Sequence, residues 1–148
     1  MNHPGNGIPA FDENGNLPPG TYKVTLEDIK TSLTGSKRRQ DLFIGLEQAV
    51  NNLKVAGVLQ IYIDGSFTTN KNDPDDIDGC WVPNINIDMK ILDFVFWDRK
   101  FPRQKMKDKY GVDFMIDGID LGSQGCPIRE HFQKDKDENL KGILLLEL

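Results

Sequence analysis

The stretch from residue 64 to residue 78 has the residue types and spacing best suited to chemistry. Gly65-Ser66 follows an apolar run, and a nine-residue loop then leads to Asp76-Ile77-Asp78. On a strand, Asp76 and Asp78 project to one face while Ile77 points into the core. Two close carboxylates repel each other, and a bound Mg²⁺, which prefers oxygen ligands, reverses that cost. Gly65 lets the backbone approach a phosphate, and Ser66 can donate its N–H and its hydroxyl. This order predicts a site for a polyphosphate and Mg²⁺.

A pair of metal ions would need a third carboxylate from a neighbouring strand. Asp113 is the candidate, because apolar residues flank it in Gly111-Val112-Asp113-Phe114-Met115, a short predicted strand. Asp93 is the competitor, but its surroundings predict a helix, on which it would lie on a solvated face. Asp76, Asp78 and Asp113 are therefore the predicted metal-binding and catalytic residues.

Other sites that use similar residues fit the sequence poorly. A calcium loop of the EF-hand type, aligned on Gly79, would place Pro74 and Ile85 at ligand positions, and neither side chain can bind an ion. No Gly-Lys-Ser/Thr follows Gly65, so a Walker loop is excluded. Serine-hydrolase chemistry lacks a histidine in a recognisable arrangement with Ser66. Asp73 and Asp75 are typical of a solvated turn.

The elements that must position these residues are helices alternating with short strands. Helices are predicted from Thr25 to Gly35, over 37–55, from Asp88 to about Tyr110 with a break at Pro102, and after Pro127; strands are predicted over 58–63, 80–82, 112–116 and 142–148. This alternation predicts an α/β (α+β) domain with a small mixed sheet flanked by helices.

Length and composition are consistent with one domain. The chain has 148 residues and a net charge of −5, which argues against non-specific coating of nucleic acid. Residues 1–21 have the composition of a loop and are expected to form an extended arm packed on a single domain at 22–148. No apolar stretch approaches the ~20 residues of a membrane helix, and Met1 to Gly5 lacks the features of a secretory signal. A cytoplasmic location without a membrane partner is therefore expected.

The cysteines and histidines do not indicate a zinc site. Cys80 and Cys126 stand alone, with only His3 and His131 to join them. Two buried thiols are favoured over a disulfide, and both alternatives stay open. His131 is interpreted as a lone surface histidine.

A basic run lies between residues 99 and 109, where six Lys and Arg residues fall within eleven positions. Such a run can neutralise the phosphates of a triphosphate or of an RNA acceptor. Because Asp98 and Asp108 are mixed into it, a solvated helix face is the favoured interpretation.

The motif resembles the signature of the nucleotidyltransferase superfamily, which includes DNA polymerase beta and the minimal nucleotidyltransferases. The similarity lies in Gly65-Ser66, the spacer and Asp76-Ile77-Asp78. The longer context, with Ile8-Pro9-Ala10-Phe11-Asp12 and Leu17-Pro18-Pro19-Gly20, is similar to an uncharacterised family of small bacterial nucleotidyltransferase-like proteins. The resemblance implies a nucleotidyltransferase-like fold and Mg²⁺-dependent transfer of a nucleoside monophosphate from a nucleoside triphosphate (NTP).

The resemblance also implies roles for particular residues. Asp76, Asp78 and Asp113 would bind one or two Mg²⁺ ions, and Gly65 with Ser66 would hold the NTP. The acceptor would be a protein or an RNA, and AMP is one candidate for the transferred group. The alternative hypothesis is a catalytically silent binding module, such as an antitoxin or accessory protein of a toxin-antitoxin or phage-defence pair, with a partner protein or a second copy bound to it.

Overall fold

The computed structural model describes residues 7–98, 100, 103–118, 133, 134, 137 and 139–148. Among these residues it has a mixed α+β architecture, which confirms the predicted fold class. The helices are α1 Leu26–Leu33, α2 Lys37–Ala56 and α3 Gln104–Tyr110, and the strands are β1 Thr21–Val24, β2 Gln60–Asp64, β3 Ile77–Trp81, β4 Val112–Ile116 and β5 Ile143–Glu147.

Local sequence signals set the ends of the first two helices. Thr25 and Asp28 form the predicted capping box at the start of α1, which ends at Leu33. Ser36 caps α2, and Gly57 ends it with a φ of 107°, a left-handed conformation that favours glycine. The predicted helix over 37–55 is therefore confirmed to within one residue.

The five strands form one mixed sheet in the order β1-β5-β2-β3-β4. β2 is antiparallel to both β5 and β3, whereas β1 with β5 and β3 with β4 are parallel pairs. β1 is absent from the strands predicted above (58–63, 80–82, 112–116 and 142–148), because its four residues give too short a pattern. The strand after the loop was expected at 80–82. That strand begins earlier, at Ile77.

The two faces of the sheet differ in what covers them. One face contributes Ile61, Ile63 and Phe114 to a core that also contains buried residues of all three helices. On the other face, Tyr62, Cys80 and Ile143 form a small separate apolar cluster. Because side chains alternate along a strand, residues 64, 78 and 113 project from the face of this small cluster, opposite the helical core.

The segment after Asp88 corrects one prediction. A helix was expected there, but the described residues form turns, with a short 3₁₀ helix at Phe94–Phe96. Side-chain hydrogen bonds compete with helix formation. The Asp93 carboxylate accepts from the Val95 N–H at 3.2 Å, while Asn52 of α2 accepts from the Asp93 N–H at 2.8 Å and donates to the Ile91 carbonyl at 3.0 Å.

The chain before β1 packs on the domain from residue 7 onward. Leu17 is fully buried, and Ile8 and Phe11 pack against the core. Asn16 forms a β-bridge with Thr69, which brings this arm to the loop that follows Ser66.

Several predictions fall on residues outside the described ranges. These are the break at Pro102, the helix after Pro127, the surface position of His131 and the state of Cys126. Cys80 lies in the described part and is buried, as expected. Among the described helices, none has both the length and the apolar character needed to cross a bilayer.

Candidate functional site

Strand pairing places three aspartates in one row across the sheet. Asp64, the last residue of β2, lies opposite Asp78 in β3, and Asp78 lies beside Asp113 in β4. Paired residues of neighbouring strands project to the same face. The row therefore gathers carboxylates that are up to 49 positions apart in the sequence.

Asp76 completes a cluster of three carboxylates with Asp78 and Asp113. One carboxylate oxygen from each lies within 4.8 Å of the other two, and all three residues are partly buried. Asp76 precedes β3 by one residue, and Ile77 between it and Asp78 is fully buried. The structure thus brings together the three residues predicted as metal ligands. We call Asp76, Asp78 and Asp113 the carboxylate cluster.

The Gly-Ser segment lies directly against this cluster. Gly65–Thr68 forms a short 3₁₀ helix immediately after β2, and we call it the Gly-Ser turn. Gly65 has a φ of 77°, and a Cβ atom added to it would lie 2.2 Å from Oδ2 of Asp78. Only glycine allows so close an approach of backbone to carboxylate. The two halves of the motif, separated by a loop in sequence, are therefore in contact.

The carboxylate cluster carries unfavourable like-charge repulsion, which acts most strongly on Asp78. Burial, together with the negative charges of Asp76, Asp113 and Asp64 and a hydrogen bond with Asp76, raises the pKa of Asp78 from 3.8 to about 7. Desolvation and like charges both disfavour an ionised carboxylate. A divalent cation would relieve this repulsion, and three carboxylates are the hard oxygen donors that Mg²⁺ prefers.

Two basic side chains near α3 offset part of this charge. Arg103 Nε lies 2.6 Å from Asp113 Oδ1, and Lys107 Nζ lies 3.5 Å from Asp76 Oδ2 and 3.7 Å from Asp113 Oδ2. Arg103 precedes the first turn of α3, and Lys107 lies one helical turn further on. The favoured interpretation of this run as a solvated face is therefore wrong at these two positions.

Asp93, the competitor for the third carboxylate, lies outside the carboxylate cluster. Its carboxylate accepts hydrogen bonds from Lys109 and from the Tyr110 hydroxyl, the latter at 2.7 Å. Partial burial acts to raise the pKa of Asp93, but these hydrogen bonds outweigh it and the pKa is lowered. The expected solvated helix face is wrong, because Asp93 forms an ion pair that anchors the preceding segment to α3.

A buried ion pair behind the Gly-Ser turn was missed by the sequence analysis. Lys141 Nζ lies 3.0 Å from Asp64 Oδ1 and 3.3 Å from the Gly65 carbonyl oxygen, and both side chains are less than one-tenth exposed. Burial raises the pKa of Asp64 to about 6, although Lys141 opposes the shift. Asp64 and Lys141 are 77 positions apart, so no sequence pattern links them. The only local signal was the position of Asp64, a charged residue at the end of an apolar run.

The fold and this site define a small α+β protein with a candidate divalent-cation site beside a glycine-containing turn. The chain belongs to a family of unknown function, DUF6932, whose family model matches residues 9–147. The match begins within the arm before β1 and continues to the end of β5. No curated protein and no solved structure matches the chain.

Proposed function

We propose that this protein is a Mg²⁺-dependent nucleotidyltransferase, which transfers a nucleoside monophosphate from an NTP to a protein or RNA acceptor. The observation that carries the proposal is the carboxylate cluster, with oxygens within 4.8 Å of one another, in contact with the Gly-Ser turn. The likeness of the motif to the nucleotidyltransferase signature supports the same function.

In this reaction an acceptor oxygen attacks the α-phosphorus of the NTP. The bond from that phosphorus to the oxygen bridging to the β-phosphate breaks, pyrophosphate leaves, and the acceptor proton passes to solvent. Bound Mg²⁺ would stabilise the negative charge of the phosphates and promote ionisation of the acceptor hydroxyl. The three carboxylates would hold the metal, while Gly65 and Ser66 would hold the triphosphate.

Lys107 is suited to a second role in the same site. Lys107 lies between Asp76 and Asp113, with its Nζ less than 4 Å from each carboxylate. A metal ion bound to these carboxylates would compete with the Lys107 ammonium for the same oxygens. The ammonium would then be available to pair with the negative charge of the triphosphate.

Calorimetric titration with Mg²⁺ and each of the four NTPs tests the proposal. We expect metal-dependent nucleotide binding in the wild-type protein and its loss in Asp76→Ala and Asp78→Ala. Asp75→Ala, which removes an exposed carboxylate from the preceding turn, is the matched control and should bind normally. Nucleotide binding that needs no metal, or that survives both cluster variants, would contradict the proposal.

A catalytically silent binding module is the second candidate function. Arg103 and Lys107 already pair with the carboxylates, and this charge compensation without a metal is the observation that favours it. The module could then serve as an antitoxin or accessory protein for a protein partner. A stoichiometric partner that copurifies with wild type and with Asp76→Ala would support it, whereas a monomer that labels acceptors with nucleotide would exclude it.

A further inference from the structure

Arg39, in the first turn of α2, is a buried charged residue whose polar partners are backbone carbonyls. Its guanidinium donates hydrogen bonds to the backbone carbonyls of Leu33, Ser66, Phe67, Thr69 and Lys71, at distances from 2.6 to 3.4 Å. Three of these carbonyls belong to the Gly-Ser turn or to the residue after it. Only the planar five-donor fork of arginine can serve so many acceptors at once.

The residues beside Arg39 hold the remainder of the same loop. The Ser36 hydroxyl donates to the Asn72 carbonyl at 2.8 Å, and Arg38 donates to the carbonyls of Pro74, at 3.0 Å, and Asp75. The start of α2 thus contacts both the Gly-Ser turn and the loop from Thr69 to Asp75, which joins this turn to Asp76. Arg39 makes the contacts nearest to the turn.

The two ends of the Gly-Ser turn link Arg39 to the carboxylate cluster. In a 3₁₀ helix the carbonyls point towards the C-terminal end, and Arg39 binds the Gly-Ser turn at that end. Gly65, at the other end, lies against Asp78. The guanidinium also lies 5.1 Å from the centre of the buried Phe67 ring, so it fixes the middle of the turn as well. The position of Ser66 relative to Asp78 therefore depends on Arg39.

A buried guanidinium bound mainly by neutral carbonyls is a costly way to fix a loop. Burial lowers the pKa of Arg39, and the nearby Asp73 opposes the shift only in part. Buried charged groups contribute conformational specificity in some proteins at the expense of stability. Here the specificity concerns the one turn that contacts the carboxylate cluster.

We propose that Arg39 is a positioning residue that holds the Gly-Ser turn in the conformation that binds the triphosphate. This inference rests on the proposed nucleotidyltransferase function and identifies a residue that serves it without touching the nucleotide or the metal. The metal ligands lie on or beside β3 and β4, whereas the carbonyls that accept from the Arg39 guanidinium all lie outside these strands. Loss of the guanidinium should therefore separate nucleotide affinity from metal affinity.

The test compares Arg39→Lys with wild type by titration of Mn²⁺ alone and of Mg²⁺ with the NTP that wild type binds most tightly. Lysine keeps the charge but reaches far fewer carbonyls. We expect Mn²⁺ affinity to stay within about twofold of wild type and nucleotide affinity to fall about tenfold or more, as for the loss of one hydrogen bond to a charged group. A role in fold stability alone would affect both affinities or neither.

Chemical rescue provides a second measurement. Arg39 lies beside an open groove lined by Phe11, Ser36, Thr69 and Asn70, through which a small cation can enter. Millimolar guanidinium should restore nucleotide binding to Arg39→Ala. Lys37→Ala, which removes an exposed positive charge from the same helical turn, is the matched control and should neither lose affinity nor respond to guanidinium.

The outcomes distinguish this inference from the function on which it rests. If wild type binds no NTP with Mg²⁺, the proposed function is wrong and the inference falls with it. If wild type binds NTP but Arg39→Lys does so equally well, or loses Mn²⁺ affinity to the same extent, only the inference is wrong. If Arg39→Ala does not fold, Arg39→Lys alone decides the result.

Discussion

Replacing Asp78 by asparagine should stabilise the metal-free protein. Asn keeps the shape of a protonated aspartic acid but removes the charge that Asp76, Asp113 and Asp64 oppose. A pKa of about 7 in the folded chain, against an ordinary value of 3.8, corresponds to a cost of about 4 kcal/mol for ionising Asp78. Because Asp78 is only partly buried, solvent screens part of this cost, and we expect a gain of about 2 kcal/mol in the free energy of unfolding at pH 8.

The sign of the pH dependence follows from the raised pKa. In wild type the stability associated with protonated Asp78 is fully present below about pH 4 and is lost as the pH rises through about 7. The difference between Asp78→Asn and wild type should therefore shrink to less than about 1 kcal/mol at pH 4. Urea unfolding in the presence of EDTA at pH 4 and pH 8 measures both differences. Asp75→Asn, which removes an exposed charge nearby, should change little at either pH.

Magnesium should reverse the order of stability. A ligand at 100 times its Kd stabilises the folded state by about 2.7 kcal/mol. Saturating Mg²⁺ should therefore make wild type at least as stable to unfolding as the variant. Asp78→Asn should gain much less. The reasoning would be refuted if the variant were less stable than wild type at pH 8 in EDTA, because the cluster would then not be a site of repulsion.

Three further predictions concern the same site. Mn²⁺ affinity of wild type should rise between pH 6 and pH 8, because binding displaces the proton of Asp78, and titration at pH 6 in buffers of different ionisation enthalpy should detect release of about one proton. Gly65→Ala should destabilise the protein by more than Gly118→Ala. Both glycines have φ near 78°, but of the two only Gly65 has another atom, Oδ2 of Asp78, where the new Cβ would lie, so comparison of their urea midpoints isolates this contact. Lys141→Met should cost about 3 kcal/mol or more by leaving Asp64 buried without its cation, and the double variant with Asp64→Asn should recover much of that loss in a thermal melt.

Much of the fold was predictable because its signals are local. Capping residues and an apolar face of helical period identify α2, and apolar runs of β-forming residues identify β2 and β4. The helix predicted after Asp88 was wrong because Asn52, distant in sequence, provides hydrogen bonds that hold this segment in turns.

The candidate site was predictable in part for a similar reason. Asp76 and Asp78 are two positions apart, so their shared face follows from strand geometry alone. Asp113 was favoured over Asp93 because a strand was predicted around the first and a helix around the second, although the helix around Asp93 was wrong. The parallel register of β3 and β4, which pairs residue 78 with residue 113, brings the third carboxylate to the other two.

The sequence by itself determined the helices, most of the strands and the pair of carboxylates after the Gly-Ser segment, because each depends on residues within a few positions of one another. The tertiary structure decided which charges neutralise that site. Arg103 and Lys107 pair with the carboxylate cluster, and Lys141 pairs with the neighbouring Asp64. Arg39 holds the adjacent Gly-Ser turn by its carbonyls. Their roles depend on which strands and helices become neighbours. Ion pairs and hydrogen bonds act over a few ångströms in space, whatever the separation along the chain.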